Sequence, residues 1–306
     1  MFRIDGENVP SLQAPKAELA DYLEWKCIQS GSSFALLEAA KAISMCEDSD
    51  KTSIDTDDDR AFNRLQEALA YIELRKKGCG NKYPFAPNRD SIIWTDHDSP
   101  YATIYQFLLL NTRLKSKSVV INGKKEEGTL LFEQLSSIIL KNYWGRENSH
   151  VYVTGTSNQA RSFEEKIQTI LKELHYSLKL KCPLGSTGHE KDGGIDVVVW
   201  KNFSDEKDSK LFGLCQCKTG TNWKDGNIGA LSSRSFWHAY ISHDPYLHYV
   251  PIYMVTEDFE NNWEIIARSA GLFFDRCRLM DYLPDNIAET ECYPLIAAWT
   301  EAVLNG

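Results

Sequence analysis

The chain has 306 residues, with 34 Lys and Arg against 43 Asp and Glu, a formal net charge of −9. That balance excludes a general nucleic-acid coat, whose usual footprint is basic. A hydrophobic fraction of 42%, with 8 Trp, 14 Tyr and 13 Phe, is enough for a buried core and two domains.

The 8 cysteines show no CxxC or Cys/His zinc spacing, and they read as reduced thiols. The opening MFRIDGENVP has no apolar core of a signal peptide, and no apolar run is long enough to span a bilayer. A cytoplasmic protein with no membrane partner is expected.

Residues 47–59 are polar and acidic and are expected to form a solvated loop. Residues 60–77 place Phe62, Leu65, Leu69 and Ile72 on one helical face, and Gly78 can end the helix. Helices are also expected over 99–114 and 129–141, the second striped by Leu131, Leu135, Ile138 and Ile139. Lys124, Lys125, Glu126 and Glu127 lie near a turn, where their charges cancel. Residues 1–150 therefore read as a mainly helical domain. A boundary is expected between 145 and 157, where polar residues and two glycines surround a short VYV.

From 151 to 306 the order becomes helix, strand, strand, helix, strand, helix. Phe163, Ile167, Ile170, Leu171 and Leu174 form one helical stripe. DGGIDVVVW (192–200) contains the β-branched run of a strand covered on both faces. LFGLCQCK (211–218) is a second strand and PIYMVT (251–256) a third. A short helix over 263–270 ends at Gly271, and a short strand follows at 272–274. The fold class expected is α/β, a mixed central sheet flanked by helices.

Three of these elements carry chemistry. On the helix, Glu164 lies at the edge of the apolar stripe, where it can reach a sheet beneath, and Glu165 points nearly the opposite way. Glu165 also fits a capping box with Ser162. A helix starting near Ser157 would void the cap but keep the stripe. Asp196 is a carboxylate opening an apolar strand, costly there unless paired or bound to metal. Gly193 and Gly194 let the chain turn just before it. Asp192 is a weaker candidate, because Asp before two glycines is ordinary turn chemistry. On the next strand Gln216 and Lys218 share one face, and Cys215 and Cys217 the other.

The series FE…DGGID…QCK resembles the PD-(D/E)XK nuclease superfamily, above all its Mrr-like restriction endonuclease branch. The resemblance covers roughly 160–285, with 271–279 (GLFFDRCRL) looking like the closing strand of such domains. It implies a restriction-endonuclease-like sheet and a catalytic domain over 151–306. It implies Mg²⁺, with Mn²⁺ an alternative, held by Asp196, Glu164 and the Cys217 carbonyl. Gln216 stands where many members carry an acid, a form found in the Mrr-like branch. Lys218 would orient or activate water.

The implied reaction is phosphodiester hydrolysis, of DNA rather than RNA, in a restriction or anti-phage setting. Residues 1–150 would then supply recognition or partner binding, and the acidic balance suggests a partner protein such as an ATPase to bring the nucleic acid. Double-strand cleavage calls for two active sites, which a homodimer would supply. The rival reading is a non-catalytic binding subunit that keeps a nuclease fold.

Other motifs are weaker. His238, His243 and His248 recur every five residues, a spacing that stacks no ligands on a helix, and they read as surface or core histidines. Residues 154–157 lack the GK[ST] of a phosphate-binding loop, and no G-x-S-x-G is present. Trp223 and Lys224 could stack on and attract nucleic acid, but a packed loop tryptophan is the simpler expectation.

Overall fold

Helix formation in the first half follows the apolar stripes. The computed structural model of the chain describes residues 1–6, 8–47, 54–115, 118–154, 163–174, 194–205, 207, 210–226, 228, 249–260 and 262–305, with the backbone alone at 47, 54–57, 163, 164, 166 and 167. Helices α1 (Lys16–Ser30), α2 (Leu36–Glu47), α3 (Ile54–Gly78), α4 (Pro100–Arg113) and α5 (Gly128–Tyr143) make up most of it. α4 starts where the Ser99 side chain accepts from the Tyr101 N–H and Pro100 opens the first turn. Of the loop expected at 47–59, Glu47 ends α2 and 54–59 lie in α3, while 48–53 fall outside the described residues.

Two small sheets that the stripes did not predict lie among these helices. β1 (Ser33–Ala35), β2 (Phe85–Asn88) and β3 (Ser91–Trp94) form an antiparallel sheet in the order β1-β3-β2. β4 (Ser118–Ile121) and β5 (Lys124–Glu127) form a hairpin. Its turn is Asn122-Gly123, with φ +51° and +77°. Both residues take the left-handed region, which suits a two-residue hairpin turn.

The second half is organised by a five-stranded mixed sheet. Its strands are β6 (Ser149–Val153), β7 (Val197–Lys201), β8 (Phe212–Lys218), β9 (Tyr249–Val255) and β10 (Leu272–Phe274), in the order β10-β9-β8-β7-β6. β6, β7 and β8 pair antiparallel, and β8, β9 and β10 pair parallel. Helices α6 (Phe163–Glu173), α7 (Trp263–Ala270), α8 (Arg276–Asp281) and α9 (Tyr293–Leu304) accompany it. The architecture is mixed α/β. Among the described residues, no helix is long and apolar enough to cross a membrane, and the seven cysteines are free thiols.

The expected boundary near 150 falls inside β6. The core is continuous across it: Val197, Cys215, Cys217, Ile252 and Phe274 pack in one cluster with Leu131, Leu135, Ile139 and Trp299. The other face of the sheet carries a second cluster of Trp223, Tyr253, Val255, Phe259, Ala270 and Phe273.

A buried ionic network also ties the halves together. Asp21 of α1 sits 2.8 Å from Arg75, 2.6 Å from Arg113 and 2.7 Å from Arg276. Glu24 accepts from Arg75 and from the hydroxyls of Tyr83 and Tyr105. Arg75 reaches Asp258, just past β9, at 2.6 Å.

Next to this network, Asp275 caps α8 by accepting from the Arg278 N–H. Burial, and then the charge of Asp258, push its carboxyl up from 3.8 to about 7. Between those values the folded chain holds a proton that the unfolded chain lacks, so this group makes stability fall as pH rises through the window. Asp275→Asn keeps the cap and removes the titration. It is expected to gain about 1–3 kcal/mol over the parent at pH 8 and almost nothing at pH 4, read by thermal denaturation at both values.

Candidate active site

The candidate residues meet where the β7–β8 ladder ends. Gly194 has φ +78°, a left-handed conformation that glycine adopts without strain. Two residues later the Asp196 N–H donates to the Cys215 carbonyl at 2.9 Å, and the Asp196 carbonyl accepts from the Thr154 N–H at 2.9 Å. Past that point the ladder changes character. The Cys217 N–H donates to Oδ2 of Asp196 at 2.7 Å, so a carboxylate takes the place of a main-chain acceptor. Asp196 is buried, at 8% exposure.

Val197 pairs with Cys215, and the Asp196 N–H bonds that same Cys215 carbonyl, so two residues of one strand face one of the other and the regular register stops there. Alternation puts Gln216 and Lys218 on one face of β8, and the Gln216 amide lies against Gly194, two residues before Asp196. Gln216 is buried, and its Oε1 has no hydrogen-bond partner among the described residues. Lys218 is half-buried and makes no ion pair among them. The amide and carbonyl of one strand residue point to the same side. The Cys217 carbonyl therefore faces the edge where Asp196 sits.

The structure thus brings together Asp196, Gln216, Lys218 and the Cys217 carbonyl. The backbone of Glu164 lies in α6, and its side chain is outside the described residues, as are Asp192 and the three histidines at 238, 243 and 248. On α6, Ile170, Leu171 and Leu174 are buried and Glu165 is exposed, as the stripe predicts. Trp223 is packed: its Nε1 donates to Glu257 at 2.7 Å, and Lys224 lies 3.1 Å from the same carboxylate.

Two neighbours were not singled out from the sequence. Tyr253 of β9 stands beside Gln216 in register. Burial, then the charges of Asp196 and Cys217, push its hydroxyl up to about 12, so it stays a neutral donor at ordinary pH. Thr154 follows β6 and holds the main chain at Ile195 and Asp196 through its hydroxyl and amide. Neither belongs to the FE…DGGID…QCK series, and no sequence signal marks them.

Gly194 has a second role. A Cβ there would lie 2.8 Å from Nε2 of Gln216. Gly194→Ala combines a left-handed alanine with that clash, and it is expected to cost about 1–2 kcal/mol and displace Gln216. Thermal denaturation reads the first effect, and a Gln216 amide shift in NMR the second.

An all-oxygen set suits a hard cation such as Mg²⁺ or Mn²⁺. Asp196, the Gln216 amide oxygen and the Cys217 carbonyl make such a set, and the unpartnered buried amide oxygen is the atom that a cation would satisfy. Among the described residues, no three His, Cys, Asp or Glu side chains gather as a metal-binding group.

No protein-family model, curated protein or solved structure matches this chain.

Proposed function

We propose that the chain is a metal-dependent endonuclease that hydrolyses phosphodiester bonds, with a restriction-endonuclease-like sheet over 151–306 of the PD-(D/E)XK kind. The reading rests on one observation above all. The buried Asp196 carboxylate accepts from the Cys217 N–H, and Gln216 and Lys218 flank Cys217 on that strand, with the buried Gln216 amide oxygen unpartnered among the described residues. The sheet order agrees with it, since an antiparallel β6-β7-β8 followed by parallel β9 and β10 sets Asp196 and Lys218 on neighbouring central strands.

In this reading Asp196, the Gln216 oxygen and the Cys217 carbonyl hold the cation, with Glu164 as the resemblance implies. The cation supplies Lewis-acid charge neutralisation at the phosphoryl oxygens. Lys218 does the work of the chain itself. Its ammonium donates to the attacking water or to a phosphoryl oxygen, and its charge opposes the negative charge that develops there. The Asp196–Cys217 hydrogen bond fixes the carboxylate before substrate arrives. DNA is the substrate class by resemblance, and an anti-phage setting with a partner ATPase follows from the same source.

The test is incubation of the purified protein with plasmid, single-stranded DNA and RNA, with and without Mg²⁺ or Mn²⁺. Cleavage that needs the metal and falls at least about 100-fold in Lys218→Ala, about 3 kcal/mol of transition-state stabilisation, is the expected result. Equal cleavage by the variant sinks the assignment.

Gln216 in an acid position favours a second reading, a non-catalytic subunit that keeps the fold. Calorimetry separates the two: the enzyme shows a Mg²⁺ or Mn²⁺ binding heat that depends on Asp196, and the scaffold shows none.

A further inference from the structure

We infer that the hollow beyond the carboxyl end of β8 binds a backbone phosphate of the nucleic-acid strand, next to the bond that is cut; the assignment rests on the nuclease reading above. β8, β9 and β10 run parallel, and ligands of open α/β sheets gather beyond the carboxyl ends of such strands. β8 ends at Lys218, and the wall of the hollow begins at Thr219, one Cα step of about 3.8 Å further on. The hollow thus continues the catalytic strand.

Its size and lining fit one small anion. The cavity measures about 150 Å³, well below the roughly 300–1,000 Å³ of sites for whole small molecules. One wall is Thr219, Gly220, Thr221 and Asn222. Gly220 is left-handed (φ +75°), and Thr221 is right-handed (φ −117°, ψ −5°). The Gly220 N–H is given to the Asn111 carbonyl at 2.9 Å, so the turn offers an anion at most the N–H groups of Thr221 and Asn222. A methyl group at Gly220 would meet nothing within 4 Å, so open space lies over the turn.

The charges agree. Arg113 lines the hollow at 2% exposure, anchored to Asp21. Arg3 and Lys115 line it as well, and their side chains make no ion pair among the described residues. Opposing charges are close by: Asp5 accepts from the Lys115 N–H at 3.3 Å, and Glu18 accepts from the Phe2 N–H and lies 3.7 Å from Arg113. On a chain of net charge −9, Arg3 and Lys115, without ion pairs among the described residues, mark where a phosphate is tolerated beside the paired Arg113. This supplies the local cationic patch that the overall composition lacks.

The test is fluorescence anisotropy with a labelled 30-base-pair duplex in metal-free buffer over a salt series, comparing the parent, Asp196→Asn and the double variant Arg3→Gln/Lys115→Gln. The double variant is expected to bind about tenfold more weakly, with a salt slope smaller by about 1–2. Inorganic phosphate is then titrated as a competitor. An unchanged affinity and slope overturns the site, as does a parent that does not bind. Phosphate binding lost in the variant, with duplex affinity intact, makes it a free-phosphate site and also overturns the inference. If the double variant loses its thermal transition, Lys115→Glu at an exposed position gives the same comparison. Weakened binding alongside full cleavage by Asp196→Asn would uphold the site and reject the catalytic reading, so the two fail separately.

Discussion

Asp196→Asn is expected to leave the protein folded and to lower metal-dependent cleavage by at least about 100-fold, equivalent to about 3 kcal/mol of transition-state stabilisation. The choice of asparagine matters. Oδ2 of Asp196 accepts from the Cys217 N–H at 2.7 Å, the contact that closes the ladder. An amide oxygen can still accept that bond, so the strand end survives and only the negative charge goes. A divalent cation loses most of its attraction to such a site, because Gln216 and the Cys217 carbonyl are neutral. Asp196→Ala would confuse the outcome, since it leaves the buried Cys217 N–H without its acceptor at a cost of about 1–3 kcal/mol. Plasmid cleavage with Mg²⁺ and Mn²⁺ is the activity readout, and the melting temperature is the control. An Asp196→Asn protein that cleaves like the parent would remove this carboxylate from the chemistry.

Asp21→Ala is expected to have the largest effect on stability, about 3–5 kcal/mol, the cost of leaving buried charge without its partner. Arg75, Arg113 and Arg276 all converge on this carboxylate, at 1%, 2% and 0% side-chain exposure. Burial alone would raise the Asp21 carboxyl, but the three guanidiniums outweigh it and hold the group well below the usual carboxylate range. The sign follows from the depressed value. Asp21 contributes stability that is present above its unfolded pKa and lost as pH falls below about 4. The parent should therefore lose stability in acid more steeply than Asp21→Ala. The loss is comparable to the whole stability of an ordinary domain, roughly 5–15 kcal/mol. Urea denaturation at pH 7 and at about pH 2 measures both effects, and a variant as stable as the parent would show that the arginines find other partners.

The same network explains why the two halves were hard to join from the sequence. Asp21, Arg75 and Arg276 lie on three separate helices and look like ordinary surface charges when read alone. Their meeting depends on how α1, α3 and α8 pack, and no local pattern encodes that. The opposite holds for α7, predicted over 263–270 and found as Trp263–Ala270, and for the 272–274 strand. A terminal Gly271 at φ +75° fixes that boundary. The β4–β5 hairpin was missed although Asn122-Gly123 signals it. The run of opposite charges that follows hid the short strands, because hairpin strands need only pair and need not be apolar.

The sequence alone determined the candidate chemistry: an acid opening one strand, Gln-x-Lys closing the next, and the alternation that sets Gln216 and Lys218 on one face. Side-chain alternation is a local property of an extended chain, so it could be read without coordinates. Only the tertiary structure decided that Asp196 lies beside β8, that its carboxylate caps the Cys217 amide, and that Tyr253 and Thr154 stand near it. Strand register and sheet order are set by contacts between residues far apart in the chain, and those contacts form only when the core closes on both faces of the sheet.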